Sequence, residues 1–395
     1  MTRHLLKLLW NRKRMNALIV AEICCSFLVL FSVGAGLVYI ANNVRQPIGF
    51  THQNVWNVAI GMGQESDDEF TKQQLGDFER ALREAKSIPF VEYAGGSMTP
   101  PFSIGGSNGN WKLNGRYVKL SFDDVTDGFR DVLGLELLEG RWFEPSDDAQ
   151  SWRPVVVDRD AARTLFPDGS AVGKSIPVSD TLEHRIVGVV REYRKNGELA
   201  GNDNFVLMRV NFVKANTRPP RNILVKVKPG TTAADEQALL ARLRAVVPEW
   251  SFELRTLEQL RAQQRKLQLL PIVIGSIIAG FLVLMVTLGL TGVMWQNVTR
   301  RTREIGLRRA LGATGSDVHR QILVEILIVA SFGLALGIAL VLQVPVLGII
   351  DIPAAVLVPA IVLAILAILG LVALCGLYPS LLASRVEPAE ALHYE

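Results

Sequence analysis

Four long apolar blocks interrupt an otherwise mixed chain: 17–41, 269–295, 321–342 and 354–378. Each is long enough for a helix of about 20 residues or more to cross a bilayer. They predict four transmembrane helices, with everything between Asn42 and Gln268 gathered into one large domain inserted after the first. Residues 1–16, MTRHLLKLLWNRKRMN, place Leu5, Leu6, Leu8, Leu9 and Trp10 among Lys7, Arg12, Lys13 and Arg14. This pattern predicts a short amphipathic helix at the membrane surface. A basic start before an apolar run is also the pattern of a signal peptide. The apolar core of a signal peptide runs only about 7–15 residues, however, and the first block is longer, so a retained span is expected.

Between Asn42 and Gln268 the pattern changes to short alternating and helical periods. Phe70, Leu75, Phe78, Leu82 and Ala85 fall at helical spacing over Asp67–Ala85, with Ser66 or Asp67 able to cap. Thr232–Val247 is a second amphipathic helix, entered through the turn Pro229-Gly230. Val55–Ile60, Pro154–Val157, Arg185–Val190, Phe205–Val210 and Asn222–Val227 are rich in β-branched residues and predict strands. The domain is therefore α+β. Gly95–Gly109 reads as a Gly/Pro/Ser-rich loop and Thr217–Arg221 as a Pro-containing one, which suggests an insert subdomain over about 95–204. Thr256–Leu270 predicts a charged helix with Thr256 as N-cap, running on into the second span past Pro271. A helix continuous through the membrane surface would tie the domain mechanically to the bilayer.

Charge orients the blocks. The 42–268 domain holds 30 Lys/Arg and 30 Asp/Glu, so the chain's net +4 comes from short segments beside the apolar blocks. That placement fits membrane topology and excludes the folded basic patch of a nucleic-acid binder. Segments 1–16, 296–320 and 379–395 are expected in the cytoplasm; the large domain and the 343–353 loop, which lacks Lys and Arg, face outward.

Little in the chain suggests catalysis. The histidines are scattered without metal-ligand spacing. Cys24, Cys25 and Cys375 all lie in apolar blocks and read as small buried side chains. Asp123-Asp124 and Asp147-Asp148 read as solvated turns rather than acid–base pairs. Gly169-Ser-Ala-Val-Gly173-Lys174-Ser175 resembles a phosphate loop, but it is one residue short between its glycines, and Pro177 follows where a helix should extend. It reads as a turn before a strand. Glu22 and Glu325 sit near span ends and suit helix pairing better than a proton path. Gly333-x3-Gly337, with Gly289-x2-Gly292, offers close-packing faces for a compact bundle or a dimer.

The segment between the second and third blocks is the densest in information. Arg300, Arg301, Arg303, Arg308, Arg309 and Arg320 outnumber Glu304 and Asp317. Gly312-Ala313-Thr314-Gly315-Ser316 lets one helix stop and another start. Ile305, Leu307 and Leu311 could fill a groove while Arg303, Arg308 and Arg309 form a polar rim, with Gly312 as stop.

The run Thr302-Arg-Glu-Ile-Gly-Leu-Arg-Arg-Ala-Leu-Gly-Ala-Thr314, with Glu325 and the Gly-containing third block, resembles the signature of MacB/FtsX-type ABC transporter permeases. Val132–Phe143, Asp158–Phe166 and Val172-Gly-Lys174 resemble that family's periplasmic core domain, and Val386-Glu-Pro-Ala-Glu-Ala-Leu392 its C-terminal motif. His393 stands where the family usually has Arg. The resemblance implies a non-catalytic permease subunit in the bacterial inner membrane that works as a homo- or heterodimer. It implies an ABC ATPase in trans that uses ATP and Mg, with no cofactor or metal bound by this chain. It also implies export of peptides, antibiotics or lipoproteins, with a periplasmic adaptor and outer-membrane channel as further partners. The alternative is a membrane regulator that activates an extracytoplasmic partner such as a cell-wall hydrolase. Under either, Arg301, Arg303, Glu304, Ile305, Gly306, Leu307, Arg308, Arg309, Ala310, Leu311, Gly312 and Ala313 are carried over as the ATPase-coupling helix.

Overall fold

The computed structural model describes residues 13–62, 72–113, 116–176, 183–201, 203–213, 219–300, 307, 314–348 and 352–384. The chain divides into two compact units, Asn42–Gln268 and the remainder. Helix α1 (Lys13–Val44) leads into the first of these; the amphipathic start at 1–12 lies outside the described residues.

The domain then runs β1 (Val55–Gly61), α2 (Lys72–Ser87), β2 (Val91–Ser97), β3 (Ser107–Leu113), β4 (Arg116–Val125), α3 (Phe129–Leu133), β5 (Leu137–Gly140), β6 (Arg153–Asp158), α4 (Arg159–Leu165), β7 (Ser175–Ile176), β8 (His184–Val190), β9 (Phe205–Arg209), β10 (Asn222–Val227), α5 (Ala233–Val246) and β11 (Ser251–Thr256). One mixed sheet holds them all in the order β11-β1-β10-β2-β4-β9-β6-β8-β5, with β3 on β4 and β7 on β8. Among the described residues only β4–β9 and β6–β8 are parallel.

The sheet has two halves joined at a narrow seam, where β2 meets β4 through one register pair, Ser97 and Val125, flanked by the bonds Met98 N to Asp124 O and Thr126 N to Gly96 O. In the first half the period of two sends Trp56, Val58, Ile60, Ile223, Val225 and Phe252 to one face, where α2 and α5 cover them through Phe78, Leu82, Leu239 and Leu243. Burying a side chain such as Phe78 completely contributes about 1.5–3 kcal/mol. In the second half Leu120, Phe122, Val155, Val157, Ile186 and Val206 pack on Ala161 and Leu165 of α4. A third cluster, with Phe50, Phe102, Phe129, Trp142, Tyr193, Leu224 and Leu257, includes residues from both halves.

Three expectations need correction. Gly95 and Gly96 belong to β2 rather than to a loop: they pair with Leu224 and Ile223 of β10, with the start of α3 against Gly95 and the Phe78 ring against Gly96. A Cβ on Gly95 would stand 2.6 Å from Phe129 N. The second half continues past 204, since β9 pairs with β4 as far as Arg209 and with β6 as far as Met208. Asp123 and Asp124 are strand residues of β4, and both Asp123 and Asp147 are buried rather than solvated. The predicted helix at Asp67–Ala85 is observed from Lys72; Ser66 and Asp67 lie outside the described residues.

After β11, helix α6 runs unbroken from Leu257 to Arg300 with Pro271 inside it. Helices α7 (Gly315–Val346) and α8 (Ala354–Ser384) follow. Each of α1, α6, α7 and α8 contains a stretch long and apolar enough to span a membrane. Ile23, Phe27 and Phe31 of α1 pack with Val286 and Leu290 of α6, Ala330 and Leu334 of α7, and Ala360, Ala364 and Ile368 of α8. Small residues permit these approaches. A Cβ on Gly333 would lie 2.8 Å from Ile23 Cγ2 and 2.9 Å from Val20 O, and one on Gly337 would strike the Phe27 ring. Both glycines thus pack within the chain. Gly289 faces Glu22, whose Oε2 would be 3.0 Å from an added Cβ.

Candidate functional site

The segment expected to dock on a partner, Arg301–Ala313, lies outside the described residues except for Leu307, which is helical and 54% exposed. Its downstream flank is well defined. Thr314 caps α7: its hydroxyl accepts from Asp317 N at 3.3 Å, and the Asp317 carboxylate accepts from Thr314 N at 3.0 Å. This reciprocal capping satisfies two otherwise unpaired donors and fixes where α7 starts. The Thr314 hydroxyl and amide hold the Asp317 carboxyl below its usual range.

A second set of contacts gathers where the chain enters the domain, at Asn43–Gln46, and where it leaves, along Leu257–Gln268. α6 begins here on a capping pair of its own. Thr256 Oγ1 accepts from Gln259 N at 3.1 Å, and Gln259 Oε1 accepts from Thr256 N at 3.0 Å. The segment 191–200, which follows β8 and has no regular structure, meets both places. Arg194 is only 3% exposed; its Nη1 donates to Asn43 O at 2.9 Å and Gln46 O at 3.1 Å, and its Nη2 donates to Ala200 O. The last carbonyls of a helix lack intrahelical partners and favour a cation, which accounts for the placement at the end of α1.

Glu198 takes a bidentate pair from Arg261, Nη2 at 3.0 Å and Nε at 3.2 Å, with Arg265 Nε 3.6 Å away. Gln268 Nε2 donates to Asn196 O at 3.0 Å. Arg261, Arg265 and Gln268 share one helix face by their spacing. Burial alone would raise the Glu198 carboxyl, but the Arg261 hydrogen bonds and the charges of Arg261 and Arg265 outweigh it and hold the group below its usual range. His52 Nε2 lies 2.8 Å from Arg261 Nη1. A guanidinium can only donate, so His52 accepts there as a neutral ring. Burial, with Arg261 next, pushes its pKa down.

The same segment reaches inward. Lys195, also 3% exposed, donates to Gly105 O, and its own carbonyl accepts from Phe102 N at 2.8 Å. These bonds hold the loop at 98–106, which Asp123 also grips through Ser97 Oγ (2.6 Å) and Thr99 N (3.0 Å). Burial pushes the Asp123 carboxyl up to about 7 against the pull of those bonds. Glu192 pairs with Arg159 at the start of α4. A cleft of about 330 Å³ lies beyond, walled by Pro100, Ser103 and Ile104 of the loop, Asn57 of β1, Glu253 and Arg255 of β11 and Leu260 of α6. Asn57 Oδ1 and Thr99 Oγ1 lack hydrogen-bond partners among the described residues but are sealed from solvent, so the Glu253–Arg255 pair is its exposed polar feature.

Residues 169–174 form a turn before β7, with Gly173 N bonded to Ile186 O at 2.7 Å. Among the described residues there is no group of three His, Cys, Asp or Glu side chains that could hold a metal. Arg194, Lys195 and Glu198 were not picked out by the sequence. Their signal is faint: a charged run directly after a β-branched strand, with Tyr193 inside it.

Residues 16–243 match the model of the MacB-like periplasmic core domain, and residues 276–388 match the FtsX-like permease C-terminal model. The macrolide export ATP-binding/permease protein MacB of Shewanella oneidensis is 31% identical over 65% of this chain and 39% of its own length. The protein of the same description from Escherichia coli strain K12 is 28% identical over 63% and 38%. The chain thus spans about two fifths of the length of these curated relatives. The crystal structure of the periplasmic region of MacB from Actinobacillus actinomycetemcomitans aligns over 56% of this chain and 96% of that one, with a TM-score of 0.39 and 16% identity.

Proposed function

We propose that this chain, which belongs to the MacB/FtsX-type family of ABC transporter permeases, is a non-catalytic subunit that passes ATP-driven motion from an ATPase to its periplasmic core domain. The observation that carries this reading is α6. At about 1.5 Å per residue its 44 residues extend roughly 66 Å, against about 30 Å of bilayer hydrocarbon. One uninterrupted helix therefore holds a span and also continues to β11 of the domain. The two are joined by helical residues throughout, with Pro271 among them.

In this reading Arg301–Ala313 is the docking helix, both termini are cytoplasmic, and two permease copies sit on two ATPase subunits that bind the ATP and Mg. The motion serves export of peptides, antibiotics or lipoproteins, through an adaptor and outer-membrane channel where these are present. Exposed Leu307 supplies the apolar contact and its neighbouring arginines the rim.

The test is co-purification from the native membrane followed by ATPase assay. The tagged chain should bring down a separate ATP-binding subunit, and Leu307→Glu or Arg308→Glu should lower the recovered, permease-dependent ATPase rate about tenfold, the factor set by roughly 1.4 kcal/mol of lost docking energy. Equal recovery and equal rate from both variants would show that the segment only fixes topology.

A further inference from the structure

We propose that the segment Arg191–Ala200 is a coupling clamp, with Arg194 and Glu198 as its positioning residues, that makes the end of α1, the first turns of α6 and the 98–106 loop move as one body. The proposal deepens the transmission reading and rests on it. It names the part of the domain that receives the motion and the place to which the motion is delivered.

The segment is far more than a connection from β8 to β9. It buries Tyr193, Arg194 and Lys195 to 1%, 3% and 3% exposure without regular structure of its own. Two buried cations are costly unless fixed partners satisfy them. Here each partner belongs to a different element. Arg194 grips the end of α1, Lys195 grips Gly105, and Asn196 O and Glu198 grip α6. Ala200 O closes the segment back on Arg194. Most of these bonds carry a charged donor or acceptor, and so are stronger than the neutral bonds of an ordinary loop.

The three gripped elements are remote in sequence and also share the cluster of Phe50, Phe102, Leu257 and Leu260; this short segment adds polar ties to all three. A displacement of α6 is applied to Glu198 through Arg261 and Arg265, on one helix face. Within four residues it reaches Arg194 and α1, and within three it reaches Lys195 and the loop. The cleft is where the displacement shows. Pro100, Ser103 and Ile104 on one wall ride with Lys195, and Leu260 on another rides with α6, so the clamp sets the cleft's width.

The deciding measurement is hydrogen–deuterium exchange on the full chain in lipid nanodiscs. Arg194→Gln should speed exchange about tenfold or more at 43–46. The same variant should also speed exchange at 98–106 and 257–268, which the Arg194 side chain is not needed to contact. Glu198→Gln keeps size and shape, and should produce the same three-site pattern at smaller amplitude, including the remote site at 43–46. It decides the matter if Arg194→Gln fails to fold. Arg242→Gln, which removes an exposed pair with Glu84, should leave all three sites unchanged. Faster exchange confined to each variant's own contacts would overturn the clamp. No ATPase is needed, so this result stands apart from the docking test: a chain whose Leu307→Glu variant stays coupled can still show the clamp, and the reverse.

Discussion

The membrane unit and the periplasmic core domain use polar side chains in opposite ways. In the spans, hydroxyls turn back on their own helix: Ser32 to Leu28 O, Ser276 to Ile272 O, Thr287 to Val283 O, Thr291 to Thr287 O and Ser331 to Leu327 O, all at 2.6–2.8 Å. Association there rests on close approach, as at Gly333 and Gly337. Ser26 Oγ, buried without a partner among the described residues, departs from the pattern. In the domain, Arg side chains reach between elements: Arg209 to Asp127 and Asp148, Arg153 to Asp124, Arg141 to Asp147. The difference follows from the solvent. In hydrocarbon a lost hydrogen bond has no water to replace it, so each helix satisfies itself. In water an irregular surface needs ties, and a charged fork supplies them.

The comparison can be broken at its strongest point first. Arg209 is 4% exposed and holds two carboxylates. Arg209→Met should cost about 2–3 kcal/mol in denaturant unfolding, because partly exposed Asp127 and Asp148 lose their shared charged donor. A loss under about 1 kcal/mol would mean that the network is surface decoration. Gly333→Leu should come next, at roughly 1–3 kcal/mol or more, since the side chain must displace Ile23 and the Val20 carbonyl. Thermal unfolding in detergent reads this, and an unchanged midpoint would refute close packing as the source of stability in the spans.

A pH titration sharpens the contrast further. Burial raises Asp123 to about 7, so the folded domain keeps a proton that the unfolded chain gives up near 3.8. For this group stability is highest below about pH 4, falls as the pH rises to about 7, and is then level. Asp158, also raised to about 7 by burial, acts in the same direction. Asp123→Asn should flatten part of the decline in melting temperature between pH 4 and 7; an unaltered slope would contradict the assignment. The smallest effect is expected from Ser331→Ala, within about 0.5 kcal/mol, because its bond lies within one helix.

The sequence revealed these two regions unequally, for the same reason. A span must be a contiguous apolar run, so all four were legible, and the cap at Thr256 was readable because capping is local. The domain's ties are not local. Whether Arg194 is buried depends on carbonyls at Asn43 and Gln46, about 150 positions earlier in the chain. Gly95 looks like a loop residue until β10 pairs with it, and Asp123-Asp124 looks like a turn until Ser97 and Arg153 claim them. The segment Arg301–Ala313 was singled out by its motif and its charge; it lies outside the described residues except for Leu307, and the structure resumes at Thr314, the cap of α7.

Because α6 is unbroken, it has a phase as well as a length. Arg261, Arg265 and Gln268 lie on one side of it by their spacing. One residue inserted after Gln268 would turn the rest of the helix by about 100°, whereas seven would return it to within about 20°. Lineages of this chain should therefore differ in α6 by near-whole numbers of turns, as a threaded shaft tolerates a longer thread but not a shifted start.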